Sequence, residues 1–290
     1  YVEALIANRE KLVLISRLEV GSAIGAAARA QIDGALNGAK DLLECWKKVE
    51  LVKDLGIKNE GYDTKRIVRR EATGVVAAIT PWNVPLYVNV GKVIAALLAG
   101  CTVILKPAPD TPLMGTIMGD IAIEAGLPAG VLNILHGSGA QIGAAITEHP
   151  AIKAISFTGG SSTGTLIKQA TAATNKKLSL ELGGKNPTLV FADCDFDLTV
   201  KEVARAAFSN QGQICLCGSR ILIEDSIYPQ FVNALVKEIE SLKIGDPLDK
   251  ETQFGALVSE AHRHKVLSYI ELAKQEGGTV LTGGQKYTMS

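Results

Sequence analysis

Aromatic residues are scarce, at 5% of the 290 residues, and neither sign of charge prevails: 30 lysines and arginines stand against 30 aspartates and glutamates. No block of like charge is long enough for a nucleic-acid arm or an acidic tail. The pairs Arg69-Arg70 and Lys176-Lys177 read as solvated faces, so nucleic acid is not an expected partner. Long apolar runs are missing too. The richest, "VIAALLAGCTVIL", contains Gly100 and is too short and broken to span a bilayer, so no membrane is expected. There is no signal peptide pattern. The five cysteines (Cys45, Cys101, Cys194, Cys215, Cys217) are odd in number and lack the spacing of a disulfide framework, which points to a reducing, cytoplasmic setting. The four histidines are scattered, and a C-x-C pair without a second Cys or His pair makes a poor zinc site, so no metal is expected.

What is present suits helices packed closely on a sheet: 47% hydrophobic residues, with alanine and glycine abundant. Residues 1 to about 55 carry apolar residues at helical spacing, broken at Gly21, and "AAARAQIDGALNGAKDLLECWKKV" continues the pattern. From Arg66 the pattern becomes β-rich. Strand-like and helix-like segments then alternate through "CTVILKP", "VLNILHG", "AISFTGG" and "KLSLELGG". Such alternation predicts βαβ units, an α/β fold and a mostly parallel sheet, with ligands at the carboxyl ends of the strands. After Gly184 a second α/β unit begins, with strands "NPTLVFADCD" and "SRILIEDS" and a further strand starting at "GTVLTGG". The expected division is 1–183 and 184–290. The chain starts at Tyr1 in mid-helix pattern and stops at Ser290 after a Gly-rich stretch, and it reads as a piece of a longer protein.

Several residues could carry chemistry. "HGSGAQIG", with Gly137, Gly139 and Gly143, follows a strand and opens a helix, but misses the dinucleotide fingerprint by one position. "FTGGSSTG" is a second Gly-rich strand-to-helix turn. Bare backbone at a helix N-terminus favours phosphate, and two such turns point to a dinucleotide more than either alone. Lys106, at the tip of "CTVILKP", is placed for a ribose hydroxyl or phosphate, or is a solvated strand-end lysine. Glu181, in the otherwise apolar "SLELGGK", is either a desolvated general base or a hydrogen-bonded buried glutamate. In "FSNQGQICLCGSR", the polar neighbours of Cys215 and Cys217 argue against both being core. One can be a thiolate that attacks a carbonyl carbon, with backbone N–H groups and an amide holding the oxyanion. The amide candidate is Asn83 in "ITPWNVP", where Pro81 and Pro85 stiffen the loop.

Together "PWNVP", "LKPAPDTP", "GLPAGVLNIL", "FTGGSSTG", "LELGGKNP" and "NQGQICLCGSR" resemble the aldehyde dehydrogenase superfamily, in family order over most of the chain. Glu181 precedes Cys215 by 34 residues, as the family pattern requires. The stretch from "KKLSLELGGKNP" to "GQICLCGSR" is similar to the branch that oxidises muconic semialdehydes. The resemblance implies a Rossmann-like cofactor domain plus part of an α/β catalytic domain. It implies Cys215 as nucleophile with Cys217 a packing neighbour, Asn83 as oxyanion donor, Glu181 as base for hydrolysis, and Lys92 as a proton relay. Ile79, Pro81, Trp82, Lys106, Gly139, Phe157, Gly159, Gly160 and Leu182 match cofactor-contacting positions. The implied reaction is oxidation of a small aldehyde to an acid with NAD or NADP, by a homodimer or homotetramer when full length.

The sequence departs from the family pattern in three ways. Pro109 stands where NAD-preferring members often carry a glutamate that repels a 2′-phosphate, which leaves NADP possible. Gly160 replaces a serine, which predicts a looser cofactor grip. The family's "E-x-F-G-P" segment, about its first 85 residues and its C-terminal oligomerisation strand are not in the sequence. The alternatives to hydrolytic oxidation are CoA-acylating chemistry and a non-catalytic family member.

Overall fold

In the computed structural model, residues 1–23, 25 and 31–287 are described. The chain opens with helices α1 (Val2–Ala7) and α2 (Arg9–Val20), and Gly21 closes α2 in the left-handed conformation, φ 74°. The expected helix after Gly21 falls partly outside the described residues; its described part is α3 (Gly34–Trp46). The next segment corrects the sequence reading, which took residues up to about 55 as helical. Strands β1 (Val52–Asn59) and β2 (Asp63–Arg69) form an antiparallel hairpin instead. Both strands are exposed along their whole length, so no buried face imposes the alternation that would mark β1 in the sequence.

The central sheet has the order β5-β4-β3-β6-β7 and is parallel throughout. Its strands are β3 (Val75–Ile79), β4 (Thr102–Lys106), β5 (Leu132–Ile134), β6 (Ile152–Thr158) and β7 (Lys177–Glu181). The crossovers are α4 (Pro85–Leu98), α5 (Pro112–Glu124), a wide turn at Gly139–Gly143 running into α6 (Ala144–Glu148), and α7 (Ser161–Thr171). Pro85 and Pro112 lie at the first turns of α4 and α5, where a missing N–H costs nothing. Helices cover both faces, so β3 reads as a continuous apolar run. Ala78 joins Leu86, Val90, Leu105 and Met118 on one side, and Ala77 joins Ile155, Phe157 and Ile167 on the other. Each large side chain buried there contributes about 1.5–3 kcal/mol. The strand order reverses between β3 and β6, which puts the ligand crevice at their carboxyl ends.

The second unit pairs β8 (Pro187–Val190) with β9 (Arg220–Ile223) in parallel through α8 (Phe196–Phe208). Helix α9 (Tyr228–Glu240) packs on α8 around the fully buried Phe231, and α10 (Glu260–Gln275) follows. The strand expected at "GTVLTGG" does not form among the described residues. Gly277, Gly283 and Gly284 take positive φ there, which no regular strand accommodates. Among the described residues no helix is long and apolar enough to cross a membrane.

Candidate active site

Glu181 ends β7, and the chain runs directly from it into "LGGKN", which wraps the thiol loop. Asn186 Nδ2 donates to Cys215 O at 2.6 Å and to Cys217 O at 3.1 Å. A Cβ on Gly184 would lie 2.8 Å from Cys215 O, so the close approach requires glycine. The two halves of the motif set are therefore joined physically as well as by spacing. Gly184 and Asn186 carry these contacts, yet no chemistry in their side chains marked them in the sequence.

The thiol loop leaves α8 through a short turn at Ser209–Gly212. Asn210 (φ 52°, ψ 41°) and Gln211 (φ 58°, ψ 30°) both take the left-handed conformation, followed by Gly212 at φ 72°. Asparagine tolerates that conformation, whereas it costs roughly 1–2 kcal/mol at Gln211, where side-chain bonds offset it. Gln211 Nε2 donates to Gly21 O at 2.9 Å and to Ala256 O at 2.7 Å. Cys215 emerges exposed. Cys217 is buried, its Sγ 3.7 Å from Ser209 O, and burial pushes its thiol pKa up, away from thiolate chemistry. The geometry thus separates the two cysteines that the residues alone left open.

Cys215, Glu181 and Lys92 line one cavity of about 1090 Å³, with Val84, Tyr87, Gly91 and Thr158. Lys92, on α4, donates from Nζ to Ser156 Oγ at 2.7 Å. Burial lowers its pKa to about 8, partly opposed by the Glu181 charge. Glu181 is exposed, which corrects the expectation of a desolvated carboxylate: its side chain leaves the end of β7 rather than entering the core. Asn83 is half-buried, and its Nδ2 donates to Gln213 O at 2.6 Å, two residues before the thiol. Among the described residues no carbonyl accepts a hydrogen bond from the Cys215 backbone N–H.

The cofactor candidates gather mostly at the carboxyl ends of the sheet. Ile79 pairs in register with Lys106 on one side and Phe157 on the other, so all three reach the same level. Pro81 and Trp82 lie in the loop just beyond. Lys106 is only 3% exposed and its Nζ meets Pro107 O at 3.2 Å, which overturns the reading of a solvated lysine. An ammonium has three donors, and burial lowers the Lys106 pKa. Close by, Thr80 Oγ1 is buried with no hydrogen-bond partner among the described residues. A Cβ on Gly159 would lie 2.6 Å from Phe157 Cζ, and α7 starts behind Gly160 without a side-chain cap. Bare backbone, an uncapped helix end and unsatisfied donors fit a polyphosphate and its sugars. Gly160 itself has ordinary angles (φ −69°, ψ 144°), and a Cβ there would meet nothing closer than 4.0 Å, so its backbone does not need glycine. Gly139 opens the wide turn after the edge strand β5 and is exposed, apart from the β3–β6 switch point. Leu182 packs on Gly164 of α7, where an added Cβ would sit 2.7 Å from its Cδ2. One contact was not foreseen: the His262 ring on α10 meets Trp82 edge-on, with centroids 4.7 Å apart.

A model of the family described as "Aldehyde dehydrogenase family" matches residues 1–290. The chain belongs to the aldehyde dehydrogenase family. Its relatives include a 2-aminomuconic 6-semialdehyde dehydrogenase from Pseudomonas sp, 47% identical over 216 residues, or 74% of this chain and 44% of that protein. A mitochondrial succinate-semialdehyde dehydrogenase from Oryza sativa subsp. japonica is 36% identical over 287 residues, 99% of this chain and 54% of the relative. Among solved structures, a betaine aldehyde dehydrogenase from Staphylococcus aureus in complex with NAD+ superposes with a TM-score of 0.94 at 32% identity, covering 100% of this chain and 56% of that one. The chain spans about half the length of the aldehyde dehydrogenases it matches.

Proposed function

We propose that the protein containing this chain oxidises a small aldehyde to its carboxylic acid with NAD or NADP, through a covalent intermediate on Cys215. The observation that carries this reading is the single cavity shared by Cys215, Glu181 and Lys92, with Asn83 tied to the backbone two residues before the thiol. The Cys215 thiolate attacks the aldehyde carbon and forms a hemithioacetal, whose oxyanion the Asn83 amide and the Cys215 N–H stabilise. Lys106, Trp82, Ile79, Pro81, Phe157, Leu182 and the glycines 139, 159 and 160 would hold the dinucleotide, and the bound nicotinamide would supply the hydride acceptor that converts the hemithioacetal to a thioester. Glu181 takes a proton from the water that attacks the thioester carbonyl, releasing the acid and the Cys215 thiol. Lys92, poised near neutrality by burial, accepts and passes on protons at Nζ.

Residues 1–183 would form the cofactor unit and 184–290 the thiol unit. Five free cysteines support a reducing, cytoplasmic setting. The exposed β1–β2 hairpin, with Leu55, Ile57 and Ile67 at its surface, supports a homodimer or homotetramer. The names of the relatives put semialdehydes first among substrates to try. The test follows absorbance at 340 nm in the full-length protein with aliphatic, aromatic and semialdehyde substrates, with each nucleotide, with and without CoA. Turnover without CoA is expected. A strict CoA requirement would point to acyl transfer, and nucleotide binding without any turnover to a non-catalytic member.

A further inference from the structure

Asn210 makes more hydrogen bonds than a turn residue needs, and the mechanism above does not use it. It is 7% exposed. Its Oδ1 accepts from Ser22 Oγ at 2.7 Å and from Gln31 Nε2 at 2.8 Å. Gln31 Nε2 also donates to Ser22 Oγ, and Ser16 Oγ on α2 donates to Gln31 Oε1, both at 2.7 Å. On its other side, Asn210 Nδ2 donates to Asn83 O at 3.0 Å. A carbonyl oxygen only accepts, so the amide nitrogen must face Asn83 and the assignment is fixed by chemistry. A ring of bonds then closes. Asn83 Nδ2 donates to Gln213 O at 2.6 Å, and Gln213 returns to Asn210 O through its N (3.0 Å) and its Nε2 (3.3 Å).

We propose that Asn210 is a positioning residue that fixes the Asn83 amide relative to the Cys215 loop, and so sets the geometry in which the oxyanion is held. This rests on the aldehyde-oxidising reading. The ring joins the two groups that must share one oxygen atom, and Ser22, Gln31 and Ser16 anchor it to the buried end of α2. The left-handed conformation puts the Asn210 side chain and its own carbonyl to use at once: one faces Asn83, the other faces Gln213. Such a site is specified by its support, and a displacement of about 1 Å costs on the order of 10²-fold in rate.

Asn210→Gly is the informative change in the full-length protein, because glycine keeps the left-handed turn without strain while losing every side-chain bond. Asn210→Asp is the second variant: it keeps the acceptor for Ser22 and Gln31 but faces Asn83 O with an oxygen. Folding is followed by circular dichroism, cofactor binding by NADH fluorescence, and chemistry by the pre-steady-state burst at 340 nm. Both variants are expected to bind NADH normally and to lose burst rate on the order of 10²-fold with KM little changed. In the double variant with Asn83→Ala the loss should not exceed that of Asn83→Ala alone, since Asn210 acts through Asn83. A wild-type burst in either single variant, or additive losses in the double, would overturn the proposal. No aldehyde-dependent NAD(P)H formation by the wild type, in the burst or in the steady state, would instead overturn the oxidation reading, and this proposal with it.

Discussion

Strand β3 and the thiol loop meet around Asn83, yet different forces hold them. In β3, Ala77 and Ala78 are wholly buried between two layers of aliphatic side chains, with Leu105 on one side and Ile155 on the other. The loop from Asn210 to Cys217 runs through left-handed backbone and is fastened by amides: Asn210, Gln211 and Gln213 from within, Asn83 and Asn186 from outside. Apolar packing is non-directional and spreads a loss over many contacts. A polar clamp is directional, so one lost partner moves the atom it aimed. The sheet should therefore respond to mutation in stability, and the loop in rate.

The largest expected effect is on the thiol itself. Cys215→Ala should reduce aldehyde-dependent NAD(P)H formation by at least on the order of 10³-fold, whereas Cys217→Ala should mainly lower the melting temperature. Retained turnover in the first variant would dismiss Cys215 as nucleophile. Next, Gly184→Ala would push a methyl group to 2.8 Å from Cys215 O, and kcat should fall on the order of 10²-fold with little change in Tm. Its opposite in the sheet is Ile155→Ala, which should cost about 2–5 kcal/mol of stability in a denaturant titration while activity per folded molecule stays near wild type. If both variants moved stability and rate alike, the contrast between the two regions would collapse.

Lys92 yields a pH prediction. Its pKa is lowered to about 8 by burial, so the neutral amine gains population as pH rises through 8. A proton-accepting role then gives a rate that rises through that value, and Lys92→Met should remove this limb of the pH–rate profile. The stability sign is the same: burial penalises the charged form, so the cost of keeping Lys92 in place falls as pH rises above 8. The smallest effect concerns the cofactor. Pro109 is exposed in the turn after Lys106, and Pro109→Glu should lower the NADP-to-NAD ratio of kcat/KM by about tenfold through repulsion of a 2′-phosphate. An unchanged ratio would separate Pro109 from cofactor choice.

The central sheet was legible because its inner strands β3 and β4 are continuous apolar runs, largely buried, and its helices begin at prolines or glycine turns. The β1 strand was not, because neither face is buried and nothing in its sequence alternates with a core. The groups proposed to react could be picked out by residue type: Glu181 and Asn83 come at or just after the ends of apolar strands, and Cys215 sits among polar neighbours that a core cysteine would not have. Their supports could not. Asn186, Gly184, Ser22 and Gln31 act through long-range contacts that no local pattern encodes. The exposure of Glu181 was also hidden, since an apolar neighbourhood in the sequence does not say which way the last residue of a strand turns.

The most direct test is a single turnover in full-length Glu181→Gln protein with aldehyde and nucleotide, quenched in acid and followed by peptide mass spectrometry across residues 206–220. Stoichiometric NAD(P)H and an acyl group on Cys215 are expected, preserved because the residue proposed to activate water has been removed. Stoichiometric NAD(P)H with no acyl mass on Cys215, or with the acyl group on Cys217, would contradict the role proposed for Cys215.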